Sequence, residues 1–323
     1  MPPSPPQIII VTPYLAGANN GNWRTAHRWQ SLLSGDFRVI VQGDWQGEAC
    51  DLLIALHARR SAAAIRRFRQ DRPQTPLVVV LTGTDLYKDL ATDNEAQRSL
   101  ELADALIVLQ EDAIQHVPRE CRRKTHIVYQ SAKTLVPADK PHDRLNGVVV
   151  GHLRPEKDPE TVFRAIESLP ATAPIHILHI GAALDVGLAA KAHGLSHRGQ
   201  HYHYAGAMAH GLTRAAIKRA HLLIHPSIME GGANVIVEAL SSGTAVLASR
   251  MSGNVGMLGA DYPGYFPVGD HAALAQLLLR CAQDANFLSR LNVACRARAK
   301  LFLPSTEQIS LARIANGLLE QNR

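Results

Sequence analysis

No stretch of the 323 residues approaches the ~20 consecutive apolar residues that span a bilayer, so no integral membrane segment is expected. The opening residues, Met1 and a proline-rich run to Pro6, lack a charged leader and pass straight into an apolar strand, unlike a secretory signal. Cysteine is scarce: Cys50, Cys121, Cys281 and Cys295 lie scattered, with no CxxC or metal-ligand spacing. They read as free thiols in a reducing compartment, and the expected location is cytoplasmic. Aromatic residues make up 5%, and none is interleaved as a stacking platform among Arg59, Arg60, Arg66, Arg67, Arg69 and Arg72. Nucleic acid is therefore not an expected partner. Those arginines read either as a solvated helix face or as a membrane-facing or acceptor-steering patch. Neither half carries Gly-x-Gly-x-x-Gly after its first strand, which argues against a dinucleotide-dependent dehydrogenase.

What the chain does contain is 46% hydrophobic residues and a net charge of +6, the balance of a folded protein suited to anionic ligands. Short β-branched runs at 7–12, 37–42, 51–56, 77–81, 105–108 and 124–128 alternate with helical stretches at 24–33, 62–69 and 95–103. Such alternation implies right-handed crossovers and a mostly parallel sheet. The pattern lapses between 130 and 144, where Pro137 and Pro141 suggest a linker, and then restarts at 147–150. The expected fold class is α/β, with two Rossmann-like domains facing a central cleft. The expected boundaries are 1–140, 141–305, and a last helix at 306–323 packing back on the first domain.

Two strand-to-helix junctions of the second half carry chemistry. The first runs Gly151-His152-Leu153-Arg154-Pro155-Glu156-Lys157-Asp158-Pro159, with Asp158 as helix cap and Pro159 at the first helical position. Arg154 and Lys157 thereby stand at the C-terminal end of a strand, where open α/β sheets bind ligands, and their charge suits a diphosphate. The second contains Glu230-Gly231-Gly232-Ala233-Asn234, followed by Glu238 about one turn into a helix. Small residues before a helix N-terminus permit close backbone approach by an anion. The Glu238 carboxylate suits a ribose diol, Glu230 a sugar hydroxyl, and each alone reads equally as an ordinary surface residue.

The Glu-x7-Glu spacing, the preceding Pro226-Ser227, the Glu238-Ala239-Leu240 that follows and the Gly151-to-Lys157 loop resemble the large retaining GT-B family typified by sucrose and bacterial lipopolysaccharide glycosyltransferases. The resemblance covers residues 147–258 well and the first half more loosely. It implies a metal-independent transferase whose second domain binds a UDP-sugar as substrate, with no cofactor. By position it implies that Arg154 and Lys157 stabilise the diphosphate, Glu230 contacts the transferred sugar and Glu238 holds the ribose. Gly151, Met208, Gly231, Gly232, Ala233 and Asn234 would complete the donor site. Gly231-Gly232-Ala233 departs from the family's common Gly-Phe-Gly. In keeping with metal independence, the chain has no Asp-x-Asp. His201 and His203 with His197 offer a weak zinc alternative.

The first strand-to-helix loop holds Asn19, Asn20, Gly21, Asn22, Arg24 and Thr25, a supply of donors suited to a small anionic acceptor. A polar turn is the plainer reading of the asparagines. His57, Thr84 and Asp85 fall at neighbouring strand ends and are candidates for the same acceptor site, a structural role being the alternative. This loop and Val268-Gly269-Asp270 are similar to those of the selenosugar synthases of bacterial selenoneine biosynthesis. That similarity implies transfer from UDP-glucose or UDP-N-acetylglucosamine to selenophosphate. A saccharide or lipid acceptor of the cell envelope, and a non-catalytic nucleotide-sugar sensor, are the alternatives.

Overall fold

The computed structural model describes residues 4–13, 21–199 and 201–322. It divides into two compact units, Met1–Ser131 with Pro304–Arg323, and Ala132–Leu303. In the first unit β1 (Gln7–Val11), β2 (Arg38–Gln42), β3 (Leu52–Leu56), β4 (Leu77–Leu81), β5 (Ala105–Val108) and β6 (Thr125–Ile127) form one parallel sheet in the order β2-β1-β3-β4-β5-β6. Its inner strands β3, β4 and β5 are apolar and buried throughout because both faces are covered, whereas the edge strands β2 and β6 carry polar residues and are partly exposed. Ile8 and Ile10 lie on one face with Trp29 and Leu33 of α1 (Gly21–Leu33) and Leu311 and Ala315 of the C-terminal helix α12 (Pro304–Gln321). Ile9 and Val11 lie on the other, with Ile65 and Phe68 of α2 (Ala62–Asp71) and Ala96 and Leu100 of α4 (Asn94–Leu102). The short helix α3 (Thr84–Tyr87) follows β4.

The second unit repeats the plan. Strands β7 (Leu145–Val150), β8 (Ile175–Ile180), β9 (Tyr202–Gly206), β10 (Leu222–His225), β11 (Ala245–Ser249) and β12 (Tyr265–Phe266) pair in parallel in the order β12-β11-β10-β7-β8-β9. Between and after them run α5 (Pro159–Glu167), α6 (Val186–Arg198), α7 (His210–Arg219), α8 (Asn234–Leu240), α9 (Ser252–Leu258), α10 (His271–Gln283) and α11 (Ala285–Ala299). Strand order reverses beside β7: β10 lies on one side of it and β8 on the other. Ligands of doubly wound sheets bind at the C-terminal ends of strands flanking such a switch.

The boundary between the units falls nine residues ahead of the linker-based expectation at 140. Segment 132–144 is held by the second unit: the Leu135 N–H donates to the Ser241 carbonyl at 2.8 Å and Lys140 Nζ to the Gly243 carbonyl at 3.1 Å. Gly243 adopts a left-handed φ of +69°, and a Cβ there would stand 2.9 Å from Pro137 Cγ. Proline content marked a break in periodicity, but the residues around it are anchored.

Candidate active site

The junction after β7 is supported from below by β8. Gly181, at the end of β8, comes so close to the loop that a Cβ on it would meet the Gly151 carbonyl oxygen at 1.9 Å. That oxygen accepts a hydrogen bond from His179 Nε2 at 3.1 Å, while His179 Nδ1 lies 2.8 Å from the Tyr202 hydroxyl. Burial pushes the His179 pKa down to about 4, so the imidazole is neutral, donating from Nε2 and accepting the tyrosine proton at Nδ1. His152 Nδ1 accepts from the Ala182 N–H at 3.0 Å. Asp158 has a left-handed φ of +45°, which aspartate tolerates, and its carboxylate accepts from the Thr161 N–H at the start of α5.

The junction after β10 meets this loop directly. The Ile228 N–H donates to the Glu156 carbonyl at 3.0 Å, and the Lys157 ammonium donates to Glu230 Oε1. Ser227 Oγ donates to the same carboxylate oxygen at 3.2 Å, and His225 Nε2 stands 3.8 Å from it. Burial would raise the Glu230 carboxyl, but Lys157 and the other polar neighbours override it and hold the pKa below the ordinary carboxylate range. The pair is therefore ionised. Burial pushes His225 down to about 4, and its Nε2 has no hydrogen-bond partner. His225, His179, Lys157, Gly151 and Ser227 line a small cavity beneath the pair. The Glu230 backbone rests on α9: a Cβ on Gly253 would come within 2.0 Å of the Glu230 carbonyl oxygen.

The structure thus brings Gly151, Lys157 and Glu230 together, with Gly231 buried beside them. Arg154, on the same loop, is half exposed, with Glu156 as its ion-pair partner at 3.9 Å. Glu238 is buried on α8 and engages a residue that the sequence reading missed: His210 Nε2 lies 2.7 Å from Glu238 Oε1. Met208, half-buried, sits two residues before His210 in the turn after β9. At the start of α8, a helix of seven residues, the Ala233 N–H is directed at Met257 Sδ, 3.2 Å away. Gly232 and Asn234 flank Ala233 and remain partly exposed.

In the first unit Asn19 and Asn20 lie outside the described residues. Gly21 and Asn22 open α1, with Arg24 in its first turn and no acidic residue there. Thr25 is buried: its hydroxyl donates to the Gly21 carbonyl at 2.9 Å and accepts from Gln130 Nε2 at 2.5 Å. Asp85 is fully buried and accepts from the backbone N–H groups of Ala58, Thr82 and Gly83 at 2.8–3.0 Å. Thr25 and Asp85 therefore organise loops rather than present open groups to a ligand. His57, in a strained conformation at φ +73°, has Nε2 3.0 Å from Thr84 Oγ1. Asp85 and the His57–Thr84 contact join the ends of β3 and β4.

The histidines of the zinc alternative have other partners or lie apart. Both ring nitrogens of buried His201 lie 3.0 Å from backbone carbonyls, those of Ile175 and Pro170, and His203 is exposed. Among the described residues no group of three His, Cys, Asp or Glu is placed to hold a metal ion. Asp270 caps α10 by accepting from the Ala273 N–H at 2.9 Å. The arginines of α2 and its approach are paired: Arg59 with Asp89 and Asp93, Arg66 with Glu95, Arg67 with Asp44 and Arg69 with Asp104.

Two Rossmann-like units with parallel six-stranded sheets and polar junctions after β7 and β10 define the GT-B fold of glycosyltransferases. The chain belongs to the family of glycosyl transferases group 1, whose model matches residues 136–300, just over half of its length. No curated protein matches the chain. Among solved structures it is similar to sucrose-phosphate synthase (tll1590) from Thermosynechococcus elongatus, with TM-score 0.79 and 16% identity over 98% of this chain and 100% of that one. Anabaena Alr3699/HepE in complex with UDP matches with TM-score 0.73 and 16% identity, over 96% of this chain and 99% of that one. The pneumococcal O-GlcNAc transferase GtfA in complex with UDP and GlcNAc gives 0.66 and 19%, over 83% of this chain and 57% of that one.

Proposed function

We propose that the enzyme transfers a glycosyl group from a UDP-sugar, UDP-glucose or UDP-N-acetylglucosamine, to a small anionic acceptor, and that this acceptor is selenophosphate. The observation that carries the donor half is the convergence of Gly151, Lys157 and Glu230 at the C-terminal ends of β7 and β10. The UDP held in the HepE and GtfA structures supports a uridine nucleotide. Lys157 and Arg154 offset the charge of the leaving diphosphate without a metal, and Glu230 meets the sugar hydroxyls. In the resting site Lys157 is held by Glu230, so a bound diphosphate competes for an ammonium already in place.

The acceptor half rests on the start of α1, where Asn22 and Arg24 stand at a helix N-terminus free of acidic residues. An anionic selenium attacks the anomeric carbon without a strong general base. The carbon–selenium bond forms as the bond to the UDP oxygen breaks, and hydrolysis of the phosphorus–selenium bond then leaves a 1-seleno-sugar.

Mass spectrometry of the protein incubated with each UDP-sugar, with and without selenophosphate, tests the reaction. UDP release that depends on selenophosphate, together with a sugar bearing the selenium isotope pattern, is the expected result. Donor binding without selenophosphate-dependent release sends the acceptor search to saccharides and lipids. Arg24→Ala should raise the acceptor KM far more than the donor KM; an equal rise in both overturns the assignment of the α1 start.

A further inference from the structure

His210 is the first residue of α7, and its imidazole side chain is 56% exposed, whereas the Glu238 side chain it touches is 11% exposed. The helix gains little from it: Ala209 provides no side-chain cap, and helix starts favour acids over basic groups. Arg214, one turn further along α7, is engaged with Ser241 Oγ and the Lys133 carbonyl. Among the described residues the Glu238 carboxylate accepts a hydrogen bond from His210 alone, on Oε1, and Oε2 takes none. A glutamate carboxylate can turn about its last torsion even where its stem is buried, and a tether on one oxygen fixes where the other points.

We infer that His210 is a positioning residue for the nucleotide. Its Nε2–H holds Glu238 Oε1 and thereby aims Oε2 at a ribose hydroxyl of the uridine diphosphate. This rests on the proposed reading of Glu238 as the ribose acceptor. The contact comes from two elements separated in sequence, the turn after β9 and the second turn of α8, so neither motif reveals it alone.

The test compares the affinities of UDP and 2′,3′-dideoxyuridine diphosphate by calorimetry on the full chain, as wild type, Glu238→Ala, His210→Ala and His210→Gln. Wild type should prefer UDP by about tenfold or more, the effect of a hydrogen bond to a charged group. Glu238→Ala should erase the preference. His210→Ala should reduce it to a few-fold while leaving the dideoxy affinity unchanged, and the amide of His210→Gln should restore it.

A full preference in His210→Ala alongside its loss in Glu238→Ala overturns the role of His210 and leaves the ribose reading standing. Tighter UDP binding by His210→Ala makes the imidazole an occupant of the ribose position instead. Equal weakening of both nucleotides reduces His210 to a structural part. A preference that survives Glu238→Ala, or no binding of UDP by wild type, overturns the ribose reading itself.

Discussion

The Glu230 carboxylate lies where burial favours its protonated form, and the Lys157 ammonium keeps it charged. Each group is the condition for the other. Removing one partner of such a part-buried pair leaves the other charge poorly compensated unless the remaining group changes its protonation state. In Lys157→Ala the Glu230 carboxyl should move upward, because desolvation then faces only His225 and Ser227. The same substitution removes the cation proposed to meet the leaving diphosphate. We expect kcat to fall by roughly 100-fold or more, with a smaller change in donor affinity, measured by steady-state kinetics and calorimetry. An unchanged kcat would remove Lys157 from the chemistry. His225 and His179 complete the surroundings of the pair, and both are neutral, so His179 supports the loop after β7 without either competing for the ligand's charge.

Besides its apolar packing through Leu311 and Ala315, helix α12 is tied into the first unit by one buried polar side chain. The Glu307 carboxylate is 1% exposed and accepts from Arg28 Nε at 3.0 Å, Trp29 Nε1 at 2.7 Å and the Ser131 N–H at 2.7 Å. Glu307→Ala removes the acceptor that those three donors share, and stability should fall by about 3 kcal/mol, read as a lower midpoint in urea; a loss under 1 kcal/mol would contradict the tether. Glu307 shows what the sequence does and does not disclose. Strand–helix alternation and two strand-end motifs give eleven of the twelve strands, missing the two-residue β12, and put Gly151, Lys157, Glu230 and Glu238 at their junctions, because periodicity and junction chemistry are local. The functions of Glu307, His179 and His210 depend on partners 20 or more residues away, at Trp29, Gly151 and Glu238. His179 left one trace, a polar residue at a buried position of the apolar strand β8. The arginines on and before α2 show the same limit: the charge run reads locally as a solvated face or a patch, and the acids that pair with Arg59, Arg66, Arg67 and Arg69 come from distant segments.

The protein should respond to acid through two buried histidines of the second unit. Burial holds both His179 and His225 at about 4, below the ordinary value of 6.5. In the unfolded chain they bind protons once the pH drops below about 6.5, whereas in the fold they stay neutral until about 4. The unfolded state therefore holds more protons between those values, and stability falls with pH across that window. Above it the histidines contribute no slope, and below it both states are protonated and their loss is complete. Each depression corresponds to about 3 kcal/mol, and the lowered Glu230 carboxyl acts in the same direction at the acid end, since protonating it breaks the pair with Lys157. Thermal melts from pH 7.5 to 4 should show a falling midpoint that steepens below pH 6.5. His179→Gln keeps a side chain able to donate to the Gly151 carbonyl but has no group that titrates there, so its melting curve should be flatter across the same window. Equal slopes in the variant and the wild type would mean that His179 takes up its proton in the folded state as readily as in the unfolded one. The neutral imidazole would then not be what supports the loop after β7.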